Sequence, residues 1–200
     1  MKILFFDTET TWLPTGWSLE SEPHIVQFGA VLGEYDDEWY IIAEEIIDKI
    51  FNPWINIPAN LTAIHWISNE MAQKEPKMQD TDFLKWLVQI TKEVDFIVGH
   101  NIEFDTKLVF FEIDRKYKSN SEEKIAWKKM FLEKSLCTMK NSVNFCKLPW
   151  SRYWFKNPKL IELHTKLFGE GFDNAHNAVA DIEATRNCFF EMKKLWLFTF

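Results

Sequence analysis

Positive charge is in short supply in this sequence. Its 200 residues hold 23 Lys and Arg against 30 Asp and Glu, a net charge of −7. That balance excludes a protein that grips nucleic acid by bulk positive charge, so a polyanionic substrate must be met by a local basic patch or by metal ions. Glycine and proline are sparse, at six and seven, which excludes collagen-like and low-complexity chains. Only three cysteines occur, Cys137, Cys146 and Cys188, with no Cys-x-x-Cys or Cys-x-x-His spacing. Zinc and a disulfide framework are therefore not expected, and a reducing, cytoplasmic setting is. No apolar run approaches the ~20 residues of a membrane span. The four apolar residues ahead of Asp7 are too few for a signal peptide.

What the chain does have is a core. Apolar residues make up 46% and aromatics 16%, with ten Trp, more than a core strictly needs. No repeat or linker-like stretch interrupts it, so residues 1–200 are read as one domain with an apolar tail over 195–200. Lys2 to Phe6 is a short apolar run ending in acids, the pattern of a buried strand that stops at a site. Ile25–Leu32 and Trp39–Ala43 read as two further strands joined through the Asp-rich Tyr35–Glu38 link. Pro53–Lys77 is irregular with short helical pieces. Asp80 reads as the N-cap of a helix to about Lys92. Phe96–Val98 is a fourth strand, followed by the turn Gly99-His100-Asn101 and an amphipathic helix marked by Phe104, Leu108 and Phe111. The polar segment after Ser119 is loop or helix. Pro158 opens a helix that Gly169 ends, and Ala178–Leu195 is a long last helix. Strands followed by alternating strands and helices predict a mixed α/β sheet covered by helices.

Three places carry chemistry. Asp7 and Glu9 lie two apart on a strand, so both carboxylates share a face. Two such acids repel unless a cation sits between them, and hard oxygen ligands suit Mg²⁺ or Mn²⁺. Asp105 falls in the first turn of the helix after Asn101, where an acid complements the helix dipole. Its company of strand end and Gly-His-Asn turn is the kind of place where α/β sheets hold functional groups. His176 and Asp181 are five apart, about 140° around a helix. The pair works together only if His176 lies in the loop before the helix and Asp181 about one turn in.

In chain order these are Asp-x-Glu, Asp and His-x4-Asp. The segments FDTETT (Phe6–Thr11), VGHNIEFD (Val98–Asp105) and AHNAVADIEAT (Ala175–Thr185) resemble the three motifs of the DEDDh 3′–5′ exonucleases, and among them the proofreading epsilon subunits of bacterial replicative polymerases. The likeness spans roughly residues 3–192. It implies a ribonuclease H-like fold, a mixed five-stranded sheet flanked by helices. It further implies two Mg²⁺ or Mn²⁺ ions held by Asp7, Glu9, Asp105 and Asp181. In that scheme Asp7 bridges both ions, Glu9 and Asp181 bind one, Asp105 supports the second, and His176 is the general base. Thr8, Thr10, His65, Asn101 and Phe104 match motif positions expected to meet substrate. Two departures fall beside them: Trp12 and Trp66 stand where the family usually has Gly. Their side chains either stack on a terminal base or turn into the core.

Met139–Leu160 carries Lys140, Lys147, Arg152, Lys156 and Lys159 with no acid, interleaved with Phe145, Trp150, Tyr153, Trp154 and Phe155. Basic groups among aromatics are how single strands are held, so Arg152 and Lys156 join the substrate-binding candidates. Glu34–Asp48, with seven acids and no base, reads as a solvated face turned from substrate. The resemblance thus implies an exonuclease that trims single-stranded or frayed 3′ ends to nucleoside 5′-monophosphates, with DNA favoured over RNA. The alternatives are a catalytically weak binding module of a replication or repair assembly and an RNA-trimming exoribonuclease. Partners are nucleic-acid 3′ ends, with a polymerase or sliding clamp in trans. Leu195-Trp-Leu-Phe198 is similar to clamp-docking peptides, though Lys194 replaces their usual Gln. The bland alternative, favoured here, has Trp196 and Phe198 completing the core.

Overall fold

The computed structural model describes residues 1–151, 154–173 and 177–198. Five strands form one sheet: β1 (Lys2–Thr10), β2 (Ile25–Tyr35), β3 (Ile41–Ile50), β4 (Phe96–Gly99) and β5 (Ser135–Cys137), in spatial order β3-β2-β1-β4-β5. β1 pairs antiparallel with β2, and β2 with β3; β4 and β5 join in parallel. The eight helices among the described residues are α1 (Ala59–His65), α2 (Asn69–Ala72), α3 (Phe83–Glu93), α4 (Ile102–Lys116), α5 (Glu122–Glu133), α6 (Thr138–Cys146), α7 (Leu160–Phe168) and α8 (Ala178–Lys194). This is the ribonuclease H-like arrangement that the motifs imply. None of the described helices is long and apolar enough to cross a membrane.

The sheet splits the core into two layers, as period-2 strands buried on both faces must. Leu4, Phe6, Phe28 and Ile97 pack under α3, α4 and α5. Ile3, Phe5, Val31 and Val98 pack under α8 and α7. Aromatic pairs bind each layer: Phe6 stacks on Phe28 at 5.3 Å and meets Phe131 edge-on, while Phe5 meets Phe189 edge-on at 5.5 Å. Such pairs each contribute about 1 kcal/mol beyond area burial. Part of the aromatic excess is thereby accounted for. Another part is not in the core, because Trp17, Trp66, Trp150, Trp154 and Trp196 are exposed.

Several boundaries differ from the sequence reading. β1 runs past the apolar Lys2–Phe6 run to Thr10, with Asp7 and Glu9 on the strand as their spacing predicts. The third strand starts at Ile41 rather than Trp39 and runs on to Ile50. It is an edge strand exposed along most of its length, so it lacks the alternation that would have marked it. The acidic stretch it contains is not uniformly solvated: Glu44 pairs with Arg186 and accepts a bond from Tyr35, and Asp48 accepts one from Gln27. The helix expected from Asp80 starts at Phe83, with Asp80 in a short 3-10 turn. The segment after Ser119 is helical, capped by Ser121 Oγ on the Lys124 amide. The fifth strand and the helix that follows it had no counterpart among the expected elements. At the C-terminus, Phe198 is buried against Phe189 at 5.0 Å. Trp196, expected to join it, is 90% exposed.

Candidate active site

The site grows from the way β1 outruns β4. β4 accompanies β1 only as far as the Phe5–Val98 pairing, and beyond Gly99 the chain turns into α4. The Thr8 amide on the side that β4 has left needs an acceptor. Asp105, in the first turn of α4, supplies it. Its Oδ1 accepts from the Thr8 amide at 3.1 Å and from Thr8 Oγ1 at 2.6 Å. Asp105 is thus buried, 2% exposed, because it closes a gap in the sheet edge as well as complementing the helix dipole. Asn101 makes the entry turn in the left-handed region, φ 66°, and its side chain makes no cap bond. Its contribution is backbone tolerance rather than a side-chain cap. His100, in the same turn, ties the entry to remote chain, with Nδ1 3.0 Å from Thr138 Oγ1 and Nε2 3.0 Å from the Pro158 carbonyl. Burial lowers its pKa to about 4, so it stays neutral and Nε2 donates to that carbonyl.

On the opposite face of β1 lie Asp7 and Glu9. Asp7 pairs across with Gly29 of β2. A Cβ at Gly29 would lie 2.6 Å from Ile182 Cδ1 and 2.8 Å from Ala178 Cβ, so the bare backbone there is what lets α8 settle onto the sheet. That approach brings in Asp181, in the first turn of α8, behind an N-cap in which Asn177 Oδ1 accepts from the Val179 and Ala180 amides. One carboxylate oxygen each from Asp7, Glu9 and Asp181 falls within 4.8 Å of the others.

Such crowding is costly for ionised groups. Desolvation pushes the Asp7 pKa well above the ordinary carboxylate range, with the charges of Asp105, Glu9 and Asp181 adding to it. Burial, then Asp181 and Asp105, raises Glu9 to about 8. Burial raises Asp105 to about 7 against the opposing bonds from Thr8. Three carboxylates that resist ionising together, with Asp181 crowded against two of them, offer hard oxygen donors that a divalent ion of the Mg²⁺ or Mn²⁺ type would satisfy. The donor chemistry fits the metals implied by the motifs.

Residues 4–189 match the exonuclease family RNase_T. The chain belongs to that family. Its hydrolytic class is accordingly that of an exonuclease. A relative from Escherichia phage 186, the uncharacterised exonuclease CP81, is 27% identical over 184 residues, 91% of this chain and 83% of its own. Among solved structures, E. coli Exonuclease I in complex with a dT13 oligonucleotide superposes with a TM-score of 0.68 at 20% identity. That match covers 98% of this chain and 42% of Exonuclease I. The nuclease domain of 3′hExo, a DEDDh family member bound to rAMP, gives 0.67 at 18% identity over 96% and 92%. The exonuclease described here therefore spans about two-fifths of the Exonuclease I chain but nearly all of the 3′hExo domain.

His65 is buried; its Nδ1 accepts from the Ile67 amide at 3.1 Å. Burial depresses its pKa, opposed by the nearby Thr10 backbone, which leaves Nε2 as a proton-bearing nitrogen. Thr10 is buried and donates its hydroxyl to the Trp12 carbonyl. Trp12 is half-buried with its indole N–H on the Ser21 carbonyl, 3.1 Å away. Trp66 is 75% exposed and held in the left-handed region, φ 63°, where glycine is favoured. The two Trp thus part company: Trp12 is tied into its loop and Trp66 faces outward. Phe104 is half-buried in the first turn of α4. Lys156 is paired with Glu162 and Lys140 with Glu103, so two of the five cations in the basic stretch are neutralised by acids outside it. His176 and Arg152 lie outside the described residues. Gly29 and His100 were not singled out from sequence. Only the placement of a glycine within IVQFGAVL hinted at the close helix approach at Gly29.

Proposed function

We propose that this exonuclease removes nucleotides from single-stranded or frayed 3′ ends, with DNA favoured over RNA, releasing nucleoside 5′-monophosphates. The observation that carries the reading is the convergence of Asp7, Glu9 and Asp181 within 4.8 Å, backed by an Asp105 fixed on Thr8. In this reading Asp7, Glu9 and Asp181 would hold the divalent ions, and Asp105 would support them from the α4 side. Two divalent ions, when bound, supply charge stabilisation to the attacking and leaving oxygens and lower the pKa of a bound water. His176 precedes the cap residue Asn177 directly in sequence. We assign it the water's proton, a task its intrinsic pKa near 6.5 suits. His65, Phe104 and the outward-facing Trp66 line the approach for the terminal nucleotide. The structures of Exonuclease I with dT13 and of 3′hExo with rAMP support a nucleic-acid substrate of one or the other sugar.

The three cysteines are free and buried, which suits the proposed reducing, cytoplasmic setting; we further read residues 1–200 as one domain. Phe198 is already engaged in the core and Leu197 packs beside it, so we assign these two residues to the fold. A clamp or polymerase partner in trans would need another surface. The test is a 5′-labelled oligonucleotide incubated with Mg²⁺, Mn²⁺ or chelator. Stepwise shortening from the 3′ end that stops in chelator and in Asp7→Ala supports the reading. Internal fragments, or shortening that persists in Asp7→Ala, would overturn it. Binding without shortening would identify the binding module instead.

A further inference from the structure

An unusual loop lies between Thr11 and His24. It is braced as firmly as a core element: the buried carboxylate of Glu22 accepts from the Thr15 amide (2.9 Å), the Gly16 amide (2.6 Å) and Thr15 Oγ1 (3.0 Å). Arg115 of α4 donates to the carbonyls of Leu19, Glu22 and Pro23 at 2.7–3.1 Å. Yet this braced loop holds Trp17 at 85% exposure. The loop thus holds a large aromatic in a fixed place at the surface.

Trp17 borders an open groove of about 770 Å³ between this loop and α4, with Lys107, Phe111 and Lys118 on the far wall. Glu22 is spent on the backbone donors above, and Asp114, which also lines the groove, is paired with Lys124 and Lys128. Lys107 and Lys118 carry no ion pair among the described residues. The groove therefore offers two uncommitted cations and an aromatic face inside an acidic protein. Its α4 wall continues towards the end of the helix that carries Asp105: Lys107, Phe111 and Asp114 extend, by three- and four-residue steps, the stripe that begins at Phe104. From Phe104 to Asp114 that stripe runs about 15 Å. This is room for about four nucleotides at duplex stacking distance.

We propose that this groove is an upstream subsite for the single strand 5′ of the scissile linkage, in which Trp17 stacks on a base and Lys107 and Lys118 meet phosphates. The assignment rests on the exonuclease reading above and extends it to substrate length. Charge complementarity and continuity with the catalytic end of α4 select a single-stranded polynucleotide as the occupant.

The experiment compares Trp17→Ala, and Lys107→Ala with Lys118→Ala, against the parent on the dinucleotide pTpT and on dT12. The parent's kcat/KM ratio of dT12 to pTpT should fall about tenfold in Trp17→Ala, as loss of one base stack implies. The double lysine variant should lower the salt slope on dT12 by about 1.4. An unaltered ratio and slope overturn the groove while leaving the exonuclease reading standing. Anisotropy of dye-labelled dT12 on the Asp7→Ala background gives a readout free of turnover. Weaker binding on adding Trp17→Ala supports the groove even if hydrolysis is never seen, and equal binding overturns it.

Discussion

Replacing Glu9 with Gln should make the metal-free protein more stable and catalytically dead. Glu9 has an ordinary pKa of 4.5 and is pushed up to about 8 by burial and by Asp181 and Asp105. A carboxyl raised on folding binds protons more tightly in the folded state, so its contribution to stability declines as pH rises from 4.5 towards 8. At pH 7 the gap corresponds to about 3 kcal/mol, or about 2 kcal/mol after allowance for solvent screening at a half-buried group. The Glu9→Gln substitution keeps the shape of the side chain and removes its charge. For 200 residues that gain amounts to a melting temperature about 4–8 °C higher. The assay is thermal unfolding by circular dichroism in chelator from pH 4.5 to 8. The two proteins should melt together near pH 4.5 and diverge above it, the variant melting higher. Adding Mg²⁺ should then raise the parent more than the variant, because bound metal stabilises only the state that binds it. A variant that melts lower than the parent at pH 7 in chelator, or a gap that does not grow with pH, would refute the crowded-carboxylate account.

Gly29→Ala should cost about 1–3 kcal/mol of stability, since its Cβ would press within 2.6 Å of Ile182 and 2.8 Å of Ala178. It should also reduce nuclease activity by displacing Asp181. Unfolding melts paired with Mg²⁺ titration would show both effects, and an unaffected metal response would mean α8 is held elsewhere. His176→Ala should lower kcat by ~10² to 10⁴ with Mg²⁺ binding retained; full activity at neutral pH would remove it from the reaction. Deleting Leu197 onward removes the buried Phe198 from its contact with Phe189. The expected cost of about 2 kcal/mol would lower the melting temperature by about 4–8 °C. A truncated chain that melts like the parent would show that the tail is dispensable to the core.

The features legible in the sequence are those whose cause is local. Asp7 and Glu9 share a face because strands repeat every two residues. Gly169 ends α7 because it adopts the left-handed conformation, φ 83°. The order of strands and helices follows from runs of apolar residues. Features that escaped are those whose cause lies far along the chain. Three-residue β5 has no pattern of its own and exists only as the parallel partner of β4. β3 was expected only as far as Ala43; beyond it the strand carries acids along an exposed edge, where one-sided pairing with β2 rather than burial defines it. Asp105 looked like a dipole-stabilising acid until β1 outran β4 and left the Thr8 amide to be met, 97 residues away. The separation of Trp12 and Trp66, one tied to Ser21 and one in solvent, had no trace in either residue's neighbours. Sequence period determines which way a side chain points along its own element. Distance between elements, and hence the crowding that shifts the carboxylates and the groove beside them, is set only when remote segments pack.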